Sequence, residues 1–224
     1  MNVLIPMAGA GKRFYDAGYD KPKPLIDVAG QPMIKRVIDS LSSEKLDYLH
    51  DKGTIVVVDK MTEGAACTVL LAEDLIDNDD ELVIANCDQY LQWSFYDYIT
   101  YSKSFNGCLV TFNSTNPHHS YAKINKHRRV VEVAEKVVIS DKASAGIYYF
   151  KHGKDFVSGA HSMIKRDIRT NNEFYICPVY NELLAAQWPM SIYEIDVNNK
   201  HMLGTPEELK IFLDKLENEE VSFE

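Results

Sequence analysis

Short apolar runs of strand length alternate along the chain with longer amphipathic stretches of helical length. The short runs predict strands at Val3–Pro6, Thr54–Val58, Leu82–Asn86, Cys108–Phe112, Ala145–Phe150 and Ser191–Ile195, and a β-hairpin over Ser120–Asn125 and Val130–Ala134. The amphipathic stretches predict helices at Met33–Leu41, Ala65–Leu75, Phe95–Ser104, Asp155–Lys165, Val179–Ala186 and from Pro206 onward. This alternation is typical of an α/β fold with a mostly parallel sheet. The β-branched run Thr54–Val58 is expected to be a buried central strand.

The composition is that of a folded globular protein. Of the 224 residues, 46% are apolar and 25% are charged, which excludes an intrinsically disordered chain, a collagen-like fibre and a charge-rich coil. The chain has no internal repeat, low-complexity segment or domain-splitting linker. We therefore expect a single domain over residues 1–224.

The charge is unevenly distributed along the chain. The net charge is −9, which argues against a nucleic acid or an anionic membrane as a partner. Residues 1–36 nevertheless carry six basic side chains against three acidic ones, a local charge of +3 that leaves −12 for the remainder. This basic segment in an acidic chain suggests a local anionic ligand.

The cysteine pattern indicates a reducing compartment. Four cysteines lie far apart, at Cys67, Cys87, Cys108 and Cys177, with no CxxC pair or His-Cys cluster that would suggest zinc. Buried free thiols are the simpler interpretation. The N-terminus lacks a charged and apolar leader, and no run approaches the ~20 apolar residues that span a bilayer. We therefore expect a cytoplasmic protein.

A glycine-bearing loop follows the first predicted strand, in the run VLIPMAGAGKRF. Gly9 and Gly11 allow a tight turn whose backbone N–H groups face phosphate oxygens, and Lys12 and Arg13 add positive charge there. A tight strand–helix turn without a ligand also explains a lone GxG pattern. The P-loop pattern GxxxxGK[ST] is absent, and Phe14 stands where a dinucleotide motif needs its third glycine.

A second signal is the run KPKPLIDVAGQPMI. Pro22 and Pro24 hold the chain extended around Lys23, so the ammonium group is aimed with little loss of conformational freedom. A rigid loop with a solvated lysine remains an equally good interpretation of this run alone.

Together, A-G-x-G-x-R, P-K-P-L and G-x-P-M-I resemble the N-terminal signature of the sugar-phosphate nucleotidylyltransferases, also called NDP-sugar pyrophosphorylases. NCDQ, EVAEK, AGIYYF and LGTPEEL follow in the order of that family, so the resemblance extends from Met1 to Leu213. It implies a Rossmann-like sheet flanked by helices, with a small β-hairpin insertion. It also implies an enzyme that condenses a nucleoside triphosphate with a phosphorylated acceptor and releases pyrophosphate.

The resemblance implies a role for each matching residue. The catalytic pair is Arg13, which contacts the phosphates, and Lys23, which stabilises charge near the α-phosphate. The nucleotide-binding positions are Ala8, Gly9, Ala10, Gly11, Lys12 and Gly64. The acceptor-binding positions are Glu135, Lys136, Gly146 and Tyr175. Asp88 matches the carboxylate that holds Mg²⁺, the implied cofactor.

Three departures from the family pattern affect the expected site. Only Asp39–Gly53 separates the first helix from the TIVVV run, so one α/β unit is missing beside the base pocket. Asp59 replaces the base-contacting glutamine, and its carboxylate favours the amino group of CTP or GTP. Met202 stands at the position where the family has its second metal-binding carboxylate. Asp196 is the candidate to supply that carboxylate instead.

Two other functions remain open at this point. A glycosyltransferase of the related nucleotide-sugar fold would use a D-x-D metal motif, where this chain has NCDQ. A non-catalytic nucleotide-binding regulator is consistent with the missing α/β unit and with Met202. The acceptor also stays open: it is a sugar phosphate, phosphocholine or a phosphoamino acid. Assembly as a homo-oligomer is open as well.

Overall fold

The computed structural model of the protein describes residues 1–42 and 53–223. Within these ranges the strands are β1 (Asn2–Leu4), β2 (Asp27–Val28), β3 (Gln31–Pro32), β4 (Leu82–Ala85), β5 (Gln89–Leu91), β6 (Gly107–Asn113), β7 (Ser120–Ile124), β8 (Val130–Glu135), β9 (Lys142–Phe150), β10 (Met190–Glu194) and β11 (Lys200–Met202). The α-helices are α1 (Lys12–Asp16), α2 (Met33–Ser40), α3 (Ala65–Leu70), α4 (Glu73–Ile76), α5 (Phe95–Ser102), α6 (Gly153–Lys165), α7 (Val179–Ala185) and α8 (Pro206–Glu217). No helix in this part of the chain is both long and apolar enough to span a membrane.

The chain forms two compact units, each assembled from three separate segments. Unit 1 consists of Met1–Ala8, Ile55–Ala85 and Tyr98–Ile195, and unit 2 consists of Gly9–Thr54, Asn86–Asp97 and Asp196–Glu224. The chain therefore passes between the units several times instead of completing one before the other. A single domain over residues 1–224 stays a prediction.

Unit 1 is built on a seven-stranded sheet with the main strand order β1-β4-β9-β6-β10. β1 is parallel to β4 and β6 is parallel to β10, while β9 is antiparallel to both β4 and β6. Four of these five strands therefore point the same way. The predicted hairpin is present as β7 and β8, which joins the sheet through the pairing of Tyr121 with Ala143. The predicted α/β fold with a mostly parallel central sheet is confirmed.

The core of unit 1 lies between the sheet and the helices α3, α6 and α7. Apolar side chains recur on the inner face of α6, including Phe156 and Met163, as expected for an amphipathic helix against a sheet. The rings of Phe150 and Phe156 meet edge to face, with centroids 5.2 Å apart. The buried Tyr180 hydroxyl donates to the carbonyl oxygen of Tyr149 at 2.7 Å, which satisfies its polar atom in the core.

Unit 2 has shorter elements around a second core. β11 pairs with β5, and β2 pairs with β3, in both cases antiparallel. The core consists of buried apolar residues from all three segments of the unit: Phe14, Ile26, Val28, Met33, Tyr90, Leu203, Leu209, Phe212 and Val221. The predicted start of α8 is confirmed, because the Thr205 side chain caps the helix by accepting from the backbone N–H of Glu208 at 3.1 Å.

The predicted buried strand at Thr54–Val58 is wrong. These residues form no strand, and Ile55 and Val57 are 78% and 75% exposed. Within the described residues, β1 pairs with β4 alone. A β-branched run reports strand propensity but not the presence of a neighbouring strand. The stretch in which the sequence lacks an α/β unit includes residues 43–52, which lie outside the described residues.

Candidate functional site

The glycine loop follows β1 directly and leads into α1. Gly11 has a φ of 60°, a left-handed conformation that favours glycine, and it caps the first turn of α1. A Cβ placed on Gly9 would meet no atom within 4 Å, so its backbone borders open space. Ala8 is half-buried, whereas Ala10, Lys12 and Arg13 are exposed. The loop thus offers exposed backbone at Gly9 and two exposed cations.

The predicted residues Lys23 and Asp88 lie together in unit 2. The Lys23 ammonium donates to Asp88 Oδ2 at 2.7 Å, although the two residues are 65 positions apart. Their side chains are only 17% and 25% exposed, so the pair is largely shielded from solvent. A Cβ on Gly11 would lie 3.3 Å from Lys23 Cβ, so the loop glycine permits this close approach.

A second carboxylate and a second lysine lie near Asp88. A Cβ on Gly204 would be 3.0 Å from Asp88 Oδ2 and 3.1 Å from Glu208 Oε2, so both carboxylates flank this glycine. Lys200 is half-buried; burial lowers its pKa to about 8, while the charges of Asp88 and Glu208 raise it. Sequence reasoning missed Glu208 because acidic residues in a first helical turn are explained by the helix dipole alone.

Asp196 caps a short turn in the structure. It is exposed, and its Oδ1 accepts from the backbone N–H of Asn198 at 2.8 Å, which caps a short 3₁₀ turn. No cluster of three or more His, Cys, Asp or Glu side chains that could hold a metal occurs in the described ranges 1–42 and 53–223. The metal-binding role of Asp196 stays a prediction.

The predicted acceptor residues of unit 1 form one cluster at the end of β8. Glu135 is buried and its Oε2 accepts from the Ser120 hydroxyl at 2.5 Å, while burial raises the pKa of the Glu135 carboxyl. The Lys136 ammonium donates to the Tyr175 hydroxyl and lies 4.4 Å from the centroid of the same ring. The structure therefore brings Glu135, Lys136 and Tyr175 together.

Gly64 and Gly146 both have positive φ angles, of 130° and 71°. A Cβ on Gly64 would lie 2.6 Å from the backbone N of Phe174, so only glycine fits against this neighbour of Tyr175. Gly146 lies within β9, where its N–H donates to Ser144 Oγ at 3.0 Å. Asp59 is exposed in the segment before α3.

Comparison with known proteins finds relatives of low sequence identity whose names agree with one another. No protein-family model matches the chain. It is 24% identical over 168 residues to the bifunctional protein GlmU of Methanocaldococcus jannaschii, covering 67% of this chain and 40% of that protein. It is 24% identical over 177 residues to a mannose-1-phosphate guanylyltransferase catalytic subunit beta of Dictyostelium discoideum, covering 67% and 49%. The chain thus spans about half or less of the length of these curated relatives.

A solved structure covers nearly the whole chain. The nucleoside-diphosphate-sugar pyrophosphorylase of Vibrio cholerae is 27% identical, with a TM-score of 0.82, and the match covers 95% of this chain and 100% of that one. The order of the motifs, the sheet topology and these likenesses agree with one another. In sequence and in fold, the chain is similar to proteins that are named as sugar-phosphate nucleotidylyltransferases and NDP-sugar pyrophosphorylases.

Proposed function

We propose that the protein transfers a nucleotidyl group from a nucleoside triphosphate to a phosphorylated acceptor and releases pyrophosphate. The observation that carries this proposal is the shielded Lys23–Asp88 pair beside the glycine loop in unit 2. A lysine held at a carboxylate next to accessible backbone N–H groups is suited to binding phosphate groups and neutralising their charge.

In the proposed reaction, an oxygen of the acceptor phosphate attacks the α-phosphorus in line. The bond from the α-phosphorus to the bridging oxygen breaks, and that oxygen leaves with the pyrophosphate. The acceptor oxygen is already an anion, so the step requires neither a general base nor a covalent nucleophile. Catalysis then consists of alignment and charge neutralisation, for which Lys23 and Arg13 are the proposed cations.

The glycine loop is the proposed binding site for the triphosphate. Gly9 offers backbone beside open space, and Gly11 holds the left-handed turn that brings the loop close to Lys23. The exposed side chains of Lys12 and Arg13 extend from the first turn of α1. Ala8 and Ala10 would contact the nucleotide through their backbone.

The donor set around Asp88 fits Mg²⁺, the proposed cofactor. Mg²⁺ prefers hard oxygen ligands and uses one or two carboxylates together with phosphate oxygens and water. Asp88 would supply one carboxylate, and Glu208, whose carboxylate also lies beside Gly204, is a second candidate in addition to Asp196. When bound, the ion would neutralise phosphate charge during transfer.

The acceptor is proposed to bind at the cluster of unit 1. Lys136 would contact the acceptor phosphate, Glu135 would accept from hydroxyl groups, and Tyr175 and Gly146 would border the acceptor. We propose a sugar 1-phosphate, in agreement with the relative that is named a mannose-1-phosphate guanylyltransferase. The product would be an activated sugar for polysaccharide biosynthesis.

Asp59 and Gly64 are the proposed base-side residues. The carboxylate of Asp59 would accept from an exocyclic amino group, which favours CTP or GTP over UTP and dTTP. The proposal also includes a cytoplasmic location, which the four free cysteines support, since free thiols persist in reducing compartments.

The test is pyrophosphate release from each nucleoside triphosphate with Mg²⁺ and a panel of sugar 1-phosphates. With the productive pair, Lys23→Ala should reduce the rate by roughly 100- to 1000-fold, because it removes charge stabilisation from the transition state. Lys21→Ala is the matched control, since Lys21 is an exposed lysine of the same loop.

Pyrophosphate release that is equal in Lys23→Ala and wild type would contradict the proposed role of the pair. Absence of release with every nucleotide and acceptor, combined with tight nucleotide binding, would instead favour a regulatory protein.

A further inference from the structure

Lys200 lies on β11. It is on the opposite face of this strand from His201, which contacts the core of unit 2. β11 is antiparallel to β5, with Lys200 opposite Leu91 and Met202 opposite Gln89. Because side chains alternate along a strand, Lys200 and Met202 share one face and His201 occupies the other. The buried His201 ring packs on Phe212, with centroids 5.2 Å apart. The alternation therefore places Lys200 on the strand face opposite that of His201.

Lys200 is held in the same group of charges as the Lys23–Asp88 pair. The Lys200 ammonium donates to Met202 Sδ at 2.6 Å, and it is attracted by the carboxylates of Asp88 and Glu208. Both carboxylates lie beside Gly204. Asp88 is further fixed through its carbonyl oxygen, which accepts from the backbone N–H of Leu203 at 2.8 Å.

A small cavity borders this lysine. It has a volume of about 110 Å³ and is lined by the charged residues Lys200, Glu208 and Lys215, together with His201, Met202, Ile211 and Phe212. A thioether sulfur is a weak acceptor. A phosphate oxygen that took its place would form a charge-assisted hydrogen bond, which is roughly twice as strong as a neutral one.

We propose that Lys200 is a further phosphate-binding residue, whose ammonium binds the polyphosphate of the nucleotide alongside Lys23. The inference rests on the proposed function and deepens it by naming a second buried cation for the same anionic substrate. The Lys23 ammonium donates to Asp88, Asp88 and Glu208 both lie beside Gly204, and Glu208 and Lys200 line the same cavity. A polyphosphate provides enough anionic oxygens to bind both at once.

The test is calorimetric binding of inorganic tripolyphosphate to the full chain in EDTA, which removes divalent metals. Lys200→Gln should weaken binding by roughly 10- to 100-fold, because it removes one charged hydrogen bond. Lys200→Arg should recover most of the affinity. Lys210→Gln should bind as wild type does, because Lys210 is an exposed lysine of α8 that does not line the cavity.

Equal affinity of Lys200→Gln and wild type would overturn the inference, and so would the absence of tripolyphosphate binding to the wild type. Pyrophosphate release by the wild type tests the proposed function separately. The proposed function and the proposed role of Lys200 can therefore fail independently. The unfolding temperature of each variant is measured alongside. If Lys200→Gln does not fold, Lys200→Met provides the same loss of charge with an apolar side chain of similar length, and its affinity decides the question.

Discussion

The two units position their candidate residues by different physical means. In unit 1, Glu135 and Gly146 lie in long strands of a seven-stranded sheet, and backbone packing fixes them. In unit 2, Lys23 and Asp88 lie outside the long strands, and a charge pair between distant segments joins them. The comparison teaches that the sheet backbone positions Glu135 and Gly146, whereas an ion pair between distant segments positions Lys23 and Asp88. Stability and activity should therefore respond differently to change in each unit.

The largest expected effect comes from comparing one glycine of each unit. Gly64→Ala should lower the free energy of unfolding by about 4 kcal/mol, because its φ of 130° is strained for alanine and its Cβ would overlap the Phe174 backbone. Gly9→Ala should stay within about 0.5 kcal/mol of wild type, since its Cβ meets nothing within 4 Å. Urea unfolding measures both.

Gly9→Ala should nevertheless impair pyrophosphate release, because the added methyl group occupies the space beside the loop. A stable Gly64→Ala variant, or an unstable Gly9→Ala variant, would contradict the difference in packing between these two glycines.

The next effect concerns acid stability in unit 2. Burial, and then the charges of Lys215 and Lys200, lower the pKa of His201 from 6.5 to about 4. A base with a lowered pKa in the folded state stabilises the fold above the unfolded-state pKa, and this stability is lost as the pH falls. The wild type should therefore lose about 3 kcal/mol between pH 6.5 and 4 through this residue.

His201→Gln should flatten that part of the pH profile, as measured by urea unfolding at stepwise pH. His127→Gln, at an exposed histidine of the hairpin turn in unit 1, is the control and should retain the wild-type slope. A His201→Gln profile as steep as the wild-type profile would show that another group controls acid unfolding.

The smallest effect tests the acceptor cluster. Tyr175→Phe removes the hydroxyl that accepts from Lys136 and keeps the ring below its ammonium. We expect KM for the acceptor to rise about 3- to 10-fold with kcat nearly unchanged, because one hydrogen bond that positions a binding residue is lost. Lys136→Met should have a larger effect. A fall in kcat without a change in KM would contradict this assignment.

The sequence predicted most of the fold because the main elements carry strong local signals. The hairpin strands β7 and β8 show alternation, and α8 begins with the Thr-Pro-Glu-Glu pattern that its cap confirms. The strands β5 and β11 were missed, since three residues are too few to show a period. The run Thr54–Val58 was assigned wrongly because its propensity could not reveal whether a partner strand exists.

The candidate site was less predictable than the fold. The family resemblance selected Lys23 and Asp88 separately, but no local pattern shows that residues 65 positions apart form an ion pair. Lys200 and Glu208 gave no signal, since a lysine in a short polar stretch and a glutamate in a first helical turn are ordinary surface residues. Only tertiary folding places them near Asp88.

The three-segment construction of unit 2 has a consequence for how the protein is made. Its core includes Phe14 near the start of the chain and Phe212 in the last helix. At a synthesis rate of roughly 5–20 residues per second, the ribosome completes Phe212 roughly 10–40 s after Phe14. Throughout that interval the nascent chain carries the glycine loop and Lys23 without their final core. Unit 2 can therefore complete its core only after α8 has been synthesised.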